Sequence, residues 1–167
     1  MADSLNNLKA AFAGESQASR KYLYFAEKAD ADGQSQIAKL FRAASEAETI
    51  HARNHLNAMS GIGSVADNLK AAIQGEHEEF MQMYPGFIEQ ANKENNTKAG
   101  ITFNWANRVE KIHHDLYSKA LKGMESGKKI TAVPIYVCER CGNTVEGEAP
   151  DKCPICGAPK SMFKLIE

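Results

Sequence analysis

Between about residue 4 and residue 126, apolar side chains recur at spacings of three, four and seven, in four blocks. Those spacings put residues on one face of an α-helix. The first block runs through Leu8, Phe12, Glu15 and Tyr22, and the second through Phe41, Ala44, Glu48, His51 and His55. The third takes in Ile73, Glu76, Phe80 and Met83, and the fourth Phe103, Ala106, Glu110, His113 and Tyr117. Stop signals separate them at Asp32-Gly33, at Gly61-Ile62-Gly63-Ser64 and at Asn95-Asn96-Thr97. Asp67 is the expected N-cap of the third helix. Pro85 is expected to bend that helix, because its ring removes a backbone hydrogen bond. The fourth block carries a second apolar row, Trp105, Val109, Ile112 and Leu116, which calls for a further partner such as another subunit.

The stripes are broken by charge. Glu15, Glu48, His51, Glu76, Glu79, Glu110 and His113 stand where apolar residues belong. Burying an unpaired carboxylate is costly, or it protonates, so converging acids make sense around cations. The arrangement also repeats. Gly14-Glu15 with Tyr22 resembles Gly75-Glu76 with Tyr84, and Glu48-x-x-His51 returns 62 positions later as Glu110-x-x-His113. A single Glu-x-x-His is usually a solvated helix face. Two copies, each with a stripe-facing Glu at matching separation, form the donor set of a di-metal carboxylate bundle. In each pair the carboxylate can bridge two metals while the imidazole one turn on binds one of them. Oxygen and nitrogen donors of this kind suit iron or manganese.

Glu79 breaks the repeat, since its counterpart is Ala18. Five carboxylates carry one more negative charge than two Fe(II), or two Fe(III) with one oxo bridge, carry positive. The fifth acid therefore suits an oxidised pair, and a reduced pair can release Glu79 in exchange for His51. Tyr22 and Tyr84 belong to the aromatic core and are candidates to donate a hydrogen bond to a metal-bound Glu. His77 and His114 read as surface histidines. His55, one turn beyond His51, is a candidate to orient a ligand, and Met59, Met81 and Met83 are packing.

Composition sharpens the picture at a few points. A net charge of −1 gives no general attraction to nucleic acid or to an anionic membrane. No run approaches the ~18 apolar residues of a membrane span, and Met1-Ala2-Asp3-Ser4-Leu5 lacks the features of a secretory leader. All four cysteines lie between 138 and 156, as Cys138-x-x-Cys141-Gly142 and Cys153-x-x-Cys156-Gly157. Such pairs read as a metal site in a reducing cytoplasm rather than a disulfide frame. Four thiolates favour iron or zinc, and a structural zinc ribbon is the alternative. A redox-active di-metal site upstream tilts the choice to iron, because that site needs an electron source. A module of about 34 residues also needs its metal in order to fold. The expected division is therefore 1–126 for the four-helix domain, 127–133 for a linker containing Lys128 and Lys129, and 134–167 for a metal-binding domain of short β-strands.

These motifs resemble the rubrerythrin family over essentially all 167 residues. The marks are Gly14-Glu15, Glu48-x-x-His51, Gly75-Glu76-x-x-Glu79, Tyr84-Pro85, Glu110-x-x-His113 and the two Cys-x-x-Cys turns. The resemblance implies an all-α, ferritin-like four-helix bundle followed by a rubredoxin-like domain. It implies two non-haem irons, oxo-bridged when oxidised, and one iron in an Fe(Cys)4 site made by Cys138, Cys141, Cys153 and Cys156. It implies cytoplasmic reduction of hydrogen peroxide to water, in defence against oxidative stress. Glu48 and Glu110 would bridge the irons, with Glu15, Glu76, Glu79 and His113 as terminal ligands. The family's redox-dependent ligand exchange falls on Glu79 and His51. Electrons would come from a rubredoxin or an NAD(P)H-dependent reductase. The chain carries no Gly-rich nucleotide fingerprint, so that reductase is expected to be a separate protein. An iron-oxidising or O2-reducing protein on the same bundle, and a non-catalytic redox sensor, are the competing functions.

One departure from the family stands out. The connection between the second and third helices, about Gly61 to Ala66, reaches at most ~20 Å, whereas the helices are ~40 Å long. In a ferritin-like bundle these two helices run parallel, so a short loop cannot return the chain to its own bundle. The expectation is a homodimer in which helix pairs are exchanged. An up-down-up-down monomer is the alternative.

Overall fold

A computed structural model describes residues 3–127 and 130–167. The expectations that fall on Met1, Ala2, Lys128 and Lys129 lie outside the described residues. The chain divides into two compact units, Met1–Gly63 and Ser64–Glu167.

The first unit is a helical hairpin of α1 (Ser4–Ala31) and α2 (Ser35–Ala58). Asp3 caps α1, its carboxylate accepting from the Asn6 N–H at 2.9 Å. Gly33, at φ +73°, makes the turn that Asp32-Gly33 predicts. Ala26, Ala29 and Ala38 are buried where the helices meet, with Phe41 packed against them. Small residues there let the helix backbones approach closely. The buried Ser45 hydroxyl donates to the Ser19 carbonyl at 2.8 Å and ties the helices together midway.

The second unit begins with α3 (Val65–Glu78), a π-helical turn (Glu79–Met83) and α4 (Tyr84–Lys93), which together make the third long helix. Its N-cap is Ser64, not Asp67. The Ser64 hydroxyl accepts from the Asp67 N–H at 3.2 Å and donates to the Asp67 carboxylate at 2.6 Å. That bond lowers the pKa of Asp67. Pro85 acts through the π turn ahead of it, in which the Tyr84 N–H bonds to the Glu79 carbonyl. Asn96 caps α5 (Thr97–Glu125) by accepting from the Ala99 N–H at 3.1 Å.

The C-terminal part of this unit is a three-stranded antiparallel sheet in the order β2-β1-β3, with β1 at Ile135–Cys138, β2 at Thr144–Glu146 and β3 at Phe163–Ile166. Tyr136 in the central strand faces Val145 on one side and Leu165 on the other. This sheet module lies on α5 and supplies the partner for the upper part of its second apolar row. Val109 is buried, and its Cγ1 lies 3.8 Å from where a Cβ on Gly142 would stand. The Arg140 guanidinium lies 5.4 Å above the Trp105 ring. Arg108 donates to the carbonyls of Pro154 at 2.9 Å and Ile155 at 3.2 Å, and Lys119 pairs with Glu146. The partner expected from another subunit is, at these positions, the chain's own cysteine module. No helix among the described residues is long and apolar enough to cross a membrane.

Candidate metal centres

Each unit gathers its own half of the acidic stripe. In the first, donor atoms of Glu15, Glu48 and His51 all lie within 4.8 Å of one another. In the second, those of Glu76, Glu110 and His113 do the same. The i,i+3 geometry is identical in the two, with His51 Nδ1 2.8 Å from Glu48 Oε2 and His113 Nδ1 2.8 Å from Glu110 Oε2. The repeat legible in the sequence is thus a repeat of three-donor sets. The His113 side chain is half as exposed as that of His51, 27% against 54%.

Burial and mutual charge perturb the second set. Desolvation raises the pKa of Glu76, and the neighbouring Glu110 carboxylate adds to it. Glu79 is raised for the same two reasons. Tyr84 is raised by burial and then by the charges of Glu110, Glu79 and Glu76, so its hydroxyl shares the field of the acids. His113 is raised chiefly by its hydrogen bond to Glu110. Glu79 stands outside the tight three-donor group, yet its carboxylate interacts with Glu110 and His113. Acids held this close to one another and away from water are arranged for cations, and the oxygen-rich donor set suits iron.

The remaining candidates sort by neighbour. Tyr22 packs its ring 6.2 Å from both Phe25 and Phe41, in the aromatic core of the first unit. Tyr84 packs 6.3 Å from Phe103. His77 is exposed, as expected. His114 is half-buried against Phe80, at 5.5 Å between rings, and is less of a surface group than its sequence suggests.

The four cysteines form one cluster. Cys138 Sγ lies 3.7 Å from Cys156 Sγ, and Cys141 Sγ lies 3.6 Å from Cys153 Sγ. A tetrahedral site with metal–sulfur bonds of ~2.3 Å has edges of ~3.8 Å, so the sulfurs are spaced for a single ion. The two turns match. Gly142 N–H donates to the Cys138 carbonyl at 2.8 Å and Gly157 N–H to the Cys153 carbonyl at 2.9 Å, with φ of +81° and +75°. Cys153 would be raised by burial, but N–H groups of Cys156 and Ile155 and the thiols of Cys141 and Cys156 outweigh it and bring it down to about 7. Burial pushes Cys141 up. Cys153 is thus held below an ordinary thiol, and a cation must supply the rest of the compensation.

Sequence reasoning missed Asn143, which is 1% exposed and donates from Nδ2 to Cys153 Sγ at 3.7 Å. It also missed Thr144, whose hydroxyl lies 2.9 Å from His113 Nε2. Neither residue belongs to a spacing motif, and only the docking of the module on α5 brings Thr144 to the histidine.

Comparison with known proteins agrees with this chemistry. The family model described as rubrerythrin matches residues 6–121, and that for the rubrerythrin rubredoxin-like domain matches residues 136–164. The chain is 36% identical to Rubrerythrin-2 of Clostridium acetobutylicum, covering 95% of this chain and 94% of that protein. It is 34% identical to the rubrerythrin of Porphyromonas gingivalis, covering 96% of this chain and 88% of that one. Among solved structures, fully reduced, all-ferrous nigerythrin matches with a TM-score of 0.59 and 34% identity, over 99% of this chain and 88% of the other. A ferritin-like helical part bearing candidate di-iron carboxylate groups, joined to a four-cysteine, rubredoxin-like iron module, makes this chain a member of the rubrerythrin family.

Proposed function

We propose that this chain is a peroxide reductase, converting one H2O2, two electrons and two protons to two waters. The observation that carries the reading is the pairing, in one chain, of two matched Glu/Glu-x-x-His donor sets with a four-sulfur electron-transfer module. We assign Glu15, Glu48, Glu76, Glu79, Glu110 and His113 as the di-iron ligands, with His51 taking the place of Glu79 in the reduced state. Bound by these residues, an iron pair would supply the two electrons. The chain's own groups manage the protons. Glu79, whose pKa is raised by burial and by the Glu110 charge, is the candidate to give one to the departing oxygen. Tyr84, kept as a phenol by burial and the surrounding acids, is the candidate to donate a hydrogen bond from its hydroxyl. Tyr22 is the corresponding candidate on the other helix pair. Cys138, Cys141, Cys153 and Cys156 would hold the Fe(Cys)4 centre, which would supply one-electron transfer from a rubredoxin or an NAD(P)H-dependent reductase. We place this work in the cytoplasm, where thiols stay reduced, and assign 1–126 to the di-iron domain and 134–167 to the rubredoxin-like domain.

The working form is a homodimer with exchanged helix pairs. Each unit brings only half of the donor set. The connection between them, Met59 to Ser64, reaches at most ~20 Å, against ~36 Å for α2. Large apolar side chains such as Phe25, Ile37 and Leu40 are 47–68% exposed on the chain alone and call for cover.

The test is stopped-flow mixing of fully reduced, iron-quantified protein with H2O2 and, separately, with O2. Reoxidation by H2O2 in a 1:1 ratio, faster than by O2, is the expected result. Fast reoxidation by O2 with a sluggish peroxide reaction makes the protein an oxidase instead. A colourless preparation puts zinc in the cysteine site and removes the electron route.

A further inference from the structure

The candidate di-iron set and the cysteine module meet at one hydrogen-bonded point. Thr144, the first residue of β2, stands three positions after Cys141. Its Oγ1 lies 2.9 Å from His113 Nε2 and donates to the Gly142 carbonyl at 3.1 Å. A hydroxyl has one proton, and a carbonyl only accepts. With that proton committed to Gly142, Thr144 can offer His113 only a lone pair, so Nε2 must carry the N–H. The other ring nitrogen, Nδ1, shares a proton with Glu110 Oε2 at 2.8 Å and lies 3.7 Å from Glu76 Oε1, and a metal bound there would replace that proton. That is the nitrogen a metal held by those carboxylates would take. The point of contact is anchored by the bonds of Arg108 to the carbonyls of Pro154 and Ile155 and by the Arg140–Trp105 stack.

We propose that Thr144 is a positioning residue that locks His113 with Nδ1 free for the metal, and that it closes a short His113–Thr144–Gly142–Cys141 link between the two iron centres of the same chain. The inference rests on the di-iron reading above. With iron bound at both sites, the link would serve the passage of one electron from a ferrous Fe(Cys)4 site, thereby oxidised, to a ferric pair, thereby reduced by one equivalent. Docking the module thereby completes the histidine ligand, so metal affinity at the carboxylate site depends on a residue of the other domain.

The experiment uses the full chain as wild type, Thr144→Val and Thr144→Ser. Valine keeps the shape and strand preference of threonine but removes the hydroxyl, and serine restores it. The first readout is 15N-histidine NMR of the Zn(II)-loaded protein. Wild type and Thr144→Ser should show His113 with a slowly exchanging Nε2 proton and a metal-shifted Nδ1, and Thr144→Val should lose the slow exchange. The second is Fe(II) competition against a chelator, where Thr144→Val should bind 10–100-fold more weakly at the carboxylate site with an unchanged Fe(Cys)4 spectrum. The third is the rate at which a reduced Fe(Cys)4 centre loses its electron to the ferric pair, slower in Thr144→Val and recovered in Thr144→Ser. A His113 bound to Zn(II) through Nε2, with the proton on Nδ1, in the Zn(II)-loaded wild type overturns the proposal even if Thr144→Val proves unstable. So does a Thr144→Val protein with wild-type iron affinity and His113 exchange. None of these readings uses peroxide, so they stand or fall separately from the reaction itself.

Discussion

If helix pairs are exchanged, two defective chains should repair one another. Glu48→Gln spoils the first unit's donors and Glu110→Gln the second's, and the acids lie in different compact units. Each exchange removes one carboxylate charge with little change of shape. In an exchanged homodimer of either variant, both bundles carry one lesion. In the mixed dimer the two lesions fall into one bundle, and the other receives an intact first pair from one chain and an intact second pair from its partner. Random mixing makes half the dimers mixed, so about a quarter of all bundles should be whole. Differently tagged chains, co-expressed and purified through both tags, should hold one complete di-iron site per dimer. Iron quantitation and peroxide turnover should give about half the wild-type values, against near loss in each parent. If each bundle comes from a single chain, the mixed dimer contains two singly damaged bundles and shows no recovery. That result would refute the exchange while leaving the ligand assignments untouched.

Three further outcomes follow from the geometry. In the metal-free protein, Glu76, Glu79 and His113 all have raised pKa values. The native chain then binds more protons than the unfolded one between each ordinary and each raised value, so stability should fall as pH rises through that window. Metal binding displaces those protons and should reverse the slope; urea melts of both forms from pH 5 to 8 check the sign. Asn143→Leu removes an N–H donor to Cys153 Sγ, a bond that favours the more negative reduced cluster, so the Fe(Cys)4 potential should drop in a redox titration. Ser64→Ala should cost about 0.5–2 kcal/mol by loss of the α3 cap, read from denaturant midpoints, with iron content unchanged.

The elements that position the site were legible because local rules govern them. Asp32-Gly33 and Asn95-Asn96-Thr97 end and restart helices by turn and cap chemistry, and the Glu-x-x-His pairs work within a single helix turn. Misreadings arose where two local rules competed or where the answer lay far along the chain. Ser64 and Asp67 are both good capping residues, and a mutual hydrogen bond lets Ser64 cap while Asp67 supports it. The row of Trp105 and Val109 did announce a partner. Nothing in its periodicity could say that Arg140 and Gly142, more than thirty residues on, would be that partner. Thr144 is the extreme case. A threonine at the start of a strand carries no signal, and it gains meaning only from a histidine 31 residues earlier.

Glu79 joins the sequence asymmetry to a structural one. Its counterpart, Ala18, lies within the unbroken helix α1, whereas Glu79 opens the π turn. Residues five apart on a straight α-helix point about 140° away from each other. The Tyr84 N–H bonds instead to the Glu79 carbonyl, five residues back, and the wider turn brings Tyr84 round into the field of Glu76, Glu79 and Glu110. Pro85 explains why the wide turn lies here: it has no N–H to give to the carbonyl four residues back, and its ring would clash with that carbonyl in a regular helix. Single π turns concentrate at functional sites, and this one loosens the backbone at the acid proposed to leave the metal. Pro85→Ala should therefore let residues 79–83 relax toward α-helix, carrying the Tyr84 phenol out of the acidic field. Its titration, followed by ultraviolet absorbance, should move down toward that of an ordinary tyrosine, and the exchange of Glu79 for His51 should become harder. An unchanged Tyr84 titration together with a persisting Tyr84-to-Glu79 backbone bond, seen by amide hydrogen exchange, would show that the turn is set by something other than the proline.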